Sequence, residues 1–395
     1  MSNLSSPVIG LLLVALVAFL APFLIDITRA RFLPAVVLEI VFGIIIGPQV
    51  LHWVNVDTSL SLLSEMGLCY LLFLSGMEVE LERLRGQLLA IVGGGFLLSL
   101  IIALLFGLSL KTIVQGISPF FLALLLSSTS LGIVIAILKD AGESSSDFGQ
   151  LIIAGSTAGE LGTIILLSLF FSNANSSSVS RFVLLGIFFL LVLILSLAVF
   201  RVRRSAWFAD MVQRLQDTTA QISVRAALLL LVAVVAMAAV FGAASILGAF
   251  LAGVLLKFAY KDPDGLRPQF RIKLEALGFG FFVPIFFISS GLTFDLHALL
   301  AHGSTLLLVP VLLVALLVVR GMPTLLYAGR LGKQQTVIAA FLQATSLPFI
   351  VAATEIGLQL GLLTQAISSA LIMVGLLSVI VYPSIALLLL RRMKR

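Results

Sequence analysis

The sequence predicts an all-α polytopic membrane protein of about 13 transmembrane helices, and three observations support this fold class. The 395 residues are 61% hydrophobic and only 11% charged, which is more apolar surface than one soluble core can hide. Apolar stretches of about 20 residues recur along the whole chain. The Lys and Arg residues between them fall mostly on alternate loops, as the positive-inside rule requires of a membrane protein.

The predicted spans follow one another with short connections. Their approximate limits are 7–25, 33–50, 58–76, 87–108, 118–138, 149–172, 182–200, 226–242, 244–257, 276–294, 304–328, 335–358 and 366–390. No basic residue precedes the first span, and its apolar run is long. We therefore expect it to stay in the bilayer as an anchor rather than to be cleaved as a signal.

The basic residues orient this topology. If every predicted span crosses the bilayer, only Lys111 and Arg181 lie on the same side as the amino terminus, and Arg320 lies within a span. The other Lys and Arg residues share the opposite side, which the positive-inside rule assigns to the cytoplasm. We expect the amino terminus outside and the carboxyl terminus in the cytoplasm. The net charge of +6 thus reflects topology, and no nucleic-acid partner is expected.

The chain is expected to form a single membrane domain over residues 1–395 with no soluble regulatory domain, so any regulatory subunit would be a separate chain. Its predicted parts are a first repeat of six spans over 1–172, a connector span and cytoplasmic loop over 173–225, and a second repeat over 226–395.

The repeat is predicted from a match between two spans. Span five contains Thr129-Ser130-Leu131-Gly132-Ile133-Val134-Ile135-Ala136, and span twelve contains Thr345-Ser346-Leu347-Pro348-Phe349-Ile350-Val351-Ala352; half of the eight positions are identical. An odd number of spans separates the two segments, so they run through the bilayer in opposite directions. This pattern is typical of an inverted repeat, in which interrupted helices mark a binding site near the midplane.

Charged side chains inside the bilayer are the strongest functional signal, because each costs about 2.5 to 3.5 kcal/mol on insertion scales. Apart from Lys257, which is the last residue of the ninth predicted span, five lie within the predicted spans: Glu39, Glu65, Glu160, Glu355 and Arg320. Glu160 lies at the middle of span six, in a small and polar stretch with Ser156 and Thr157. It is a candidate to exchange a proton for a metal ion. The alternative is a neutral Glu that hydrogen-bonds two helices together.

The other four charges have less central positions. The Arg320 guanidinium cannot lose its proton, so it needs a carboxylate or exposed carbonyls as acceptors unless it snorkels to the inner surface. Glu39 and Glu65 lie nearer the ends of their spans and could simply orient helices. Glu355 lies close to the outer end of span twelve, where water could reach it.

Two interrupted helices are predicted to supply oxygen ligands. The polar residues at mid-span are Ser127, Ser128, Thr129 and Ser130 in span five and Gln343, Thr345 and Ser346 in span twelve. Pro348 lacks a backbone donor, so it leaves a carbonyl without its helical partner. Loosened carbonyls and hydroxyls suit small alkali cations, although Ser and Thr also join membrane helices without binding an ion.

Catalytic motifs are missing from the sequence. The three histidines, His52, His297 and His302, fall in predicted outer loops, and there is no H-E-x-x-H pair. There is also no G-x-x-x-x-G-K-[ST] phosphate loop, so ATP is not expected to act within this chain. We therefore expect neither an enzyme nor a cofactor.

At several of these residues the chain resembles the monovalent cation/proton antiporter superfamily. It is most similar to the second family, which includes bacterial sodium/proton exchangers and the membrane parts of potassium-efflux systems. The matching stretches are Leu38-Glu39-Ile40 to Gly47-Pro48-Gln49-Val50-Leu51, Glu65-Met66-Gly67 to Leu71-Leu72-Phe73-Leu74-Ser75-Gly76-Met77-Glu78, Ser127-Ser128-Thr129-Ser130, Leu247-Gly248-Ala249-Phe250-Leu251-Ala252-Gly253 and Phe286-Phe287-Ile288-Ser289-Ser290-Gly291-Leu292. Their order and spacing carry the resemblance over essentially the whole chain.

The resemblance implies a scaffold or dimerisation domain, a mobile core and a homodimer in the bacterial plasma membrane. Spans five and twelve would be the crossed, broken pair of helices in the core. Glu160 would take the place of the essential aspartate of the family, and Thr129 would lie near the substrate. Arg320 would replace a basic residue, often lysine, that balances the crossing or pairs with the carboxylate.

The resemblance also implies the activity, which is exchange of Na⁺ or K⁺ for H⁺ by alternating access around Glu160. Two departures affect it: Gly159 stands where many electrogenic members carry a second acid, and the remaining acid is Glu rather than Asp. One titratable site predicts electroneutral exchange near 1:1. Alternatives are a channel-like or anion-coupled transporter on the same fold, or a membrane sensor or assembly subunit that transports nothing.

Overall fold

A computed structural model of the chain describes residues 7–27, 34–79, 86–112, 116–171, 178–203, 221–259, 268–300 and 303–393. Both chain termini, the predicted boundary at 172–173 and most of the predicted loop between 201 and 225 lie outside these residues. Within them the chain is helical and contains no β-strand, which confirms the predicted all-α class.

The helices follow the order of the predicted spans. They are α1 (Pro7–Ile27), α2 (Ala35–Ile46), α3 (Thr58–Glu78), α4 (Gly86–Lys111), α5 (Pro119–Ser127), α6 (Leu131–Asp140), α7 (Asp147–Phe171), α8 (Ser178–Arg203), α9 (Ile222–Val240), α10 (Ser245–Ala259), α11 (Pro268–Leu277), α12 (Val283–Leu292), α13 (Leu296–Leu300), α14 (Gly303–Gly321), α15 (Lys333–Gln343), α16 (Pro348–Gln359) and α17 (Gln365–Met393). A π-helical turn, Gly278–Phe282, joins α11 to α12, and a 3₁₀ helix, Met322–Tyr327, extends α14.

The described helices contain 10 segments long and apolar enough to cross a bilayer. Three shorter apolar helices, Ala35–Ile46, Val183–Val199 and Ser245–Phe258, lie at the predicted second, seventh and ninth spans. The count of about 13 crossings stays a prediction. The predicted tenth span begins earlier than expected, at Pro268 rather than near residue 276. In its charged first part Arg271 and Glu275 form an ion pair one turn apart, which adds a few tenths of a kcal/mol to the stability of the helix.

The chain divides into two compact units. The first comprises Met1–Asp57, Glu80–Thr163 and Phe287–Arg395, and the second comprises Thr58–Val79 and Ile164–Phe286. In the first unit α4 packs on α5, and α17 packs on α14, α15 and α16. In the second unit α10 packs on α3 and α9. The core and scaffold assignment implied by the resemblance, and the repeat boundaries, stay predictions.

Glycines bring helices of the second unit into backbone contact. A Cβ atom on Gly76 of α3 would lie 2.1 Å from the carbonyl oxygen of Phe250, and one on Gly253 of α10 would lie 2.0 Å from that of Phe73. Only glycine fits at such distances. Small residues are how membrane helices gain van der Waals packing, since lipid supplies no hydrophobic drive between them.

Candidate ion-binding site

Two predicted spans are each broken within the first unit. Between α5 and α6, residues 128–130 leave the helix, and between α15 and α16, residues 344–347 do so. Pro348 causes part of the second break, because a proline disfavours helical geometry at the preceding residue and cannot donate a backbone hydrogen bond. At the first break, the Ser128 hydroxyl bonds the carbonyl oxygen of Leu125 at 2.8 Å, as Ser does when it competes with helical bonding.

The two breaks contact each other. The Ser130 N–H donates to the Thr345 carbonyl at 2.9 Å. The Ser128 and Ser346 hydroxyl oxygens are 2.7 Å apart, and the Thr129 hydroxyl donates to the carbonyl of Gln343 at 2.6 Å. Backbone groups that a broken helix leaves unpaired in a membrane protein must be bonded internally, and here each break bonds groups of the other.

A serine of α17 supports the second break. The Ser346 N–H donates to the Ser378 hydroxyl at 3.2 Å. The same hydroxyl lies 2.8 Å from the carbonyl oxygens of Ser346 and Gly375. Gly375 of α17 also lets the second break pack closely against this helix, because a Cβ atom there would lie 2.9 Å from a methyl carbon of Leu347. Both backbone groups of Ser346 are therefore bonded by one side chain.

Glu160 faces the first break from α7. Its side chain is 6% exposed, and its Oε2 atom accepts a hydrogen bond from the Leu131 N–H at 3.1 Å. Leu131 is the first residue of α6. The carboxylate therefore lies at the positive end of a half-helix dipole, where an anion is stabilised.

Hydroxyl groups lie one turn to either side of Glu160 on α7. Ser156 and Thr163 share its helix face by spacing, and the Thr163 hydroxyl donates to the Gly159 carbonyl at 2.7 Å. The Thr157 hydroxyl is occupied in the same way by Ile153, at 2.8 Å. The Ser156 hydroxyl is different, because it is fully buried and has no hydrogen-bond partner among the described residues.

Ser127, at the end of α5, has the same character as Ser156: its hydroxyl is fully buried and bonds to no described residue. Buried polar groups are nearly always satisfied in native proteins. Two such oxygens on the helices that bear the break and the acid are candidate ligands for a cation, which prefers oxygen donors.

The Arg320 guanidinium is buried where the two breaks meet. Its Nε atom donates to the Thr129 hydroxyl at 2.6 Å and lies 3.5 Å from the Gln343 carbonyl. Its Nη2 atom donates to the Gln343 side-chain oxygen at 2.6 Å and to the Gly155 carbonyl at 3.3 Å. Its Nη1 atom donates to the Ser99 hydroxyl at 3.3 Å. All of these acceptors are neutral, and Glu160 is not among them.

These contacts distinguish between the expectations for Arg320. Its side chain is 4% exposed, so it does not snorkel to a surface. Gln343 ends α15, so the guanidinium lies at the negative end of that half-helix dipole. In the structure its hydrogen bonds therefore go to neutral groups at and beside the broken helices, and none goes to Glu160.

Two glycines of α7 make room for these groups. A Cβ atom on Gly159 would lie 2.7 Å from Nη2 and 3.1 Å from Cζ of Arg320. A Cβ atom on Gly155 would lie 2.6 Å from the Gln343 Nε2 atom and 2.6 Å from the Tyr327 hydroxyl. The guanidinium therefore occupies the space that a second acidic side chain at position 159 would need.

The family model described as "Sodium/hydrogen exchanger, transmembrane" matches residues 15–392. The chain belongs to the sodium/hydrogen exchanger family. This confirms the resemblance inferred from the sequence, and the family is one of secondary transporters, not of enzymes.

Named relatives agree with this membership. YjbQ of Bacillus subtilis, which bears the name of an Na⁺/H⁺ antiporter, is 33% identical over 397 residues. The match covers 95% of this chain and 62% of YjbQ, so the chain spans less than two thirds of that relative. The Na⁺/H⁺-K⁺ antiporter GerN of Bacillus cereus is 28% identical, with 66% of each chain covered.

A solved structure shows the same fold. The sodium proton antiporter MjNhaP1 of Methanocaldococcus jannaschii superimposes with a TM-score of 0.66, covers 98% of both chains and is 16% identical. At that identity the likeness concerns the fold alone.

In this exchanger-family chain the remaining predicted acids differ in environment. Glu39 is 5% exposed, and its Oε2 atom has no hydrogen-bond partner among the described residues. Glu355, on α16, is exposed. Glu65 is exposed and belongs to the second unit. None of the three donates to or accepts from the groups around Arg320 described above.

Ser378 and Ser99 were assigned no role from the sequence, and Gln343 was placed only among the polar mid-span groups of span twelve; all three bond the breaks or the guanidinium. A glutamine at mid-span next to a predicted break was a usable signal, since its amide must find partners in a bilayer. The i, i+4 spacing of Gly155 and Gly159 was another, because it marks a helix face open to close contact.

Proposed function

We propose that the chain exchanges a monovalent cation, Na⁺ or K⁺, for a proton at Glu160. The observation that carries the proposal is the buried Glu160 carboxylate on the first N–H of a half-helix, beside two broken helices bonded to each other. A lone carboxylate in such a place is balanced by binding one proton or one cation. The family membership and the printed name of GerN, with Na⁺, H⁺ and K⁺ in it, support these substrates.

The proposed ligands are the Glu160 carboxylate and nearby neutral oxygens. Ser156 and Ser127 offer buried hydroxyls, and Thr129 and Ser130 offer oxygens of the first break. The hydroxyls of Thr129 and Thr157 are weaker candidates, since they already donate to the carbonyls of Gln343 and Ile153. We propose that Arg320, Thr345, Ser346 and Pro348 shape the site without touching the ion. Glu39, Glu65 and Glu355 stay secondary candidates.

We further propose that exchange is electroneutral, near 1:1, and proceeds by alternating access. One proton and one monovalent cation place the same charge on Glu160, so the two loaded forms are electrically equivalent. By likeness to the family, the protein is a homodimer in the bacterial plasma membrane, with the amino terminus outside and the carboxyl terminus in the cytoplasm. A separate regulatory subunit is part of the same proposal.

The test uses purified protein in liposomes with a trapped pH-sensitive dye. Adding NaCl or KCl outside is expected to move protons, while choline chloride is not. Glu160→Gln keeps the size of the side chain but removes its charge and titration, so exchange is expected to fall to the level of protein-free liposomes.

Glu275→Gln is the matched control, because it makes the same change at a partly exposed carboxylate of α11 that pairs with Arg271 and has no proposed role in transport, and its exchange is expected to equal that of the wild type. Full exchange by Glu160→Gln would remove Glu160 from the role. Cation currents without proton movement would favour a channel-like transporter. No movement of Na⁺ or K⁺ by the wild type would contradict the proposal and favour a sensor or assembly role.

A further inference from the structure

We infer that Gln343 is a positioning residue that holds the Arg320 guanidinium away from Glu160 and so keeps that carboxylate available to the transported cation. This inference rests on the proposed function. Gln343 is 1% exposed at the carboxyl end of α15.

The Gln343 amide is bonded at both of its ends. Its Oε1 atom accepts from the Arg320 Nη2 atom at 2.6 Å, and its Nε2 atom donates to the Ile152 carbonyl of α7 at 2.8 Å. Gly155 lets the amide lie against α7, since a Cβ atom there would be 2.6 Å from Nε2. The bond to Ile152 fixes the amide orientation, so that its oxygen faces the guanidinium.

The backbone of Gln343 restrains the same neighbours. Its carbonyl oxygen accepts from the Thr129 hydroxyl at 2.6 Å and lies 3.5 Å from the Arg320 Nε atom. The Thr129 hydroxyl in turn accepts from that Nε atom at 2.6 Å. One residue therefore sets the position of the guanidinium through its side chain, its backbone and Thr129.

Without this restraint the guanidinium has a competing partner nearby. Nη2 is the guanidinium atom closest to Gly159, at 2.7 Å from the Cβ position, and Gly159 directly precedes Glu160. Arginine and carboxylate form strong, often bidentate bonds, and a buried site strengthens their attraction. The bond to Gln343 Oε1 is the shortest that Nη2 makes. If it is lost, we expect the guanidinium to turn toward Glu160 and to compete with the cation there.

The test compares substitutions of nearly equal length. Gln343→Met keeps the volume but removes both amide bonds, and Gln343→Leu does the same with a shorter chain. Gln343→Glu keeps an oxygen that can accept from Arg320. Gln365→Leu is the control, because it removes an exposed amide that bonds the Thr293 carbonyl.

Two measurements are made on each variant: the KM for Na⁺ and for K⁺ in the dye assay, and the cation concentration that half-maximally stabilises the detergent-purified protein against heat. We expect Gln343→Met and Gln343→Leu to raise both values roughly tenfold to a hundredfold, the loss expected for one charge-assisted hydrogen bond. Gln343→Glu keeps an acceptor for Arg320 but loses the donation to the Ile152 carbonyl, so we expect both of its values to rise less than those of Gln343→Met. Gln365→Leu is expected to stay within about threefold of the wild type. Damage to folding alone would lower the maximal rate and leave KM unchanged.

The outcomes separate this inference from the proposed function. Unchanged KM and unchanged cation midpoint in Gln343→Met, or an equal rise in Gln343→Met and Gln343→Glu, would overturn the role of Gln343 while leaving exchange intact. A wild type that binds cation without exchanging it would overturn the proposed function. A weaker cation midpoint in Gln343→Met would then still support the positioning role.

Discussion

Replacing Gly159 with alanine tests whether the Arg320 guanidinium fills the space beside α7. In an exposed helix this change stabilises, because glycine costs about 1 kcal/mol relative to alanine. Here the new methyl group would lie 2.7 Å from Nη2 and 3.1 Å from Cζ. The guanidinium is held by hydrogen bonds on every nitrogen, so it cannot move without losing some of them. Overpacking of this kind costs about 1 to 3 kcal/mol.

After the gain of about 1 kcal/mol in helix propensity is subtracted, we therefore expect Gly159→Ala to lower the midpoint of thermal unfolding of the detergent-purified protein by up to about 4 °C, at about 2 °C per kcal/mol for a chain of this size. Gly93→Ala and Gly94→Ala are matched controls in α4, because a Cβ atom at either position meets nothing within 4 Å. Both are expected to keep or raise the midpoint. If Gly159→Ala behaved like these controls, the argument that the guanidinium excludes a side chain at position 159 would be wrong.

Two further substitutions test contacts that hold the helices. Ser378→Ala removes the hydroxyl that bonds the N–H and the carbonyl of Ser346 in the second break, so we expect the free energy of unfolding to fall by about 1 to 3 kcal/mol and the thermal midpoint to be lower. Ser384→Ala loses only a bond to its own helix and is expected to change the midpoint little. Gly76→Ala places a methyl group 2.1 Å from the backbone oxygen of Phe250 in the second unit, so we expect a sharp fall in the yield of monodisperse protein. Gly186→Ala is the control, because a Cβ atom there meets nothing within 4 Å, and it is expected to leave the yield unchanged. A normal midpoint for Ser378→Ala, or a normal yield for Gly76→Ala, would show that those contacts contribute little.

Much of the helical framework could be predicted from the sequence, because a bilayer demands long apolar segments whose backbone groups bond internally. The positions of the breaks were also predictable. Pro348 cannot continue a helix from the preceding residue, and the Ser128–Ser130 stretch offers hydroxyls that compete with helical bonds. These signals are local, so they can be read from neighbouring residues.

The bonding of the charged groups could not be predicted in the same way. Whether Arg320 bonds Glu160 or neutral oxygens depends on which face of α7 turns toward α14 and α15. Hydropathy along the sequence carries little information about that face. Gln343 illustrates the difficulty. Its partners Ile152 and Arg320 lie far from it in sequence, so only the packed structure shows that one amide joins α7 to the guanidinium.

The Arg320 guanidinium lies against Gly159, the residue that precedes Glu160 on α7, yet it does not pair with Glu160. We attribute this to the half-helices, because each charge is balanced by a different one. The carboxylate bonds the amino end of α6, and the guanidinium lies at the carboxyl end of α15. Each interaction is local and neutralises a partial charge exposed by a break. The Arg320 charge is constant during the proposed cycle, since a guanidinium does not release its proton. Only the occupant of Glu160 changes, and a proton and an alkali cation carry the same charge, which is why a single acid next to a glycine favours electroneutral exchange.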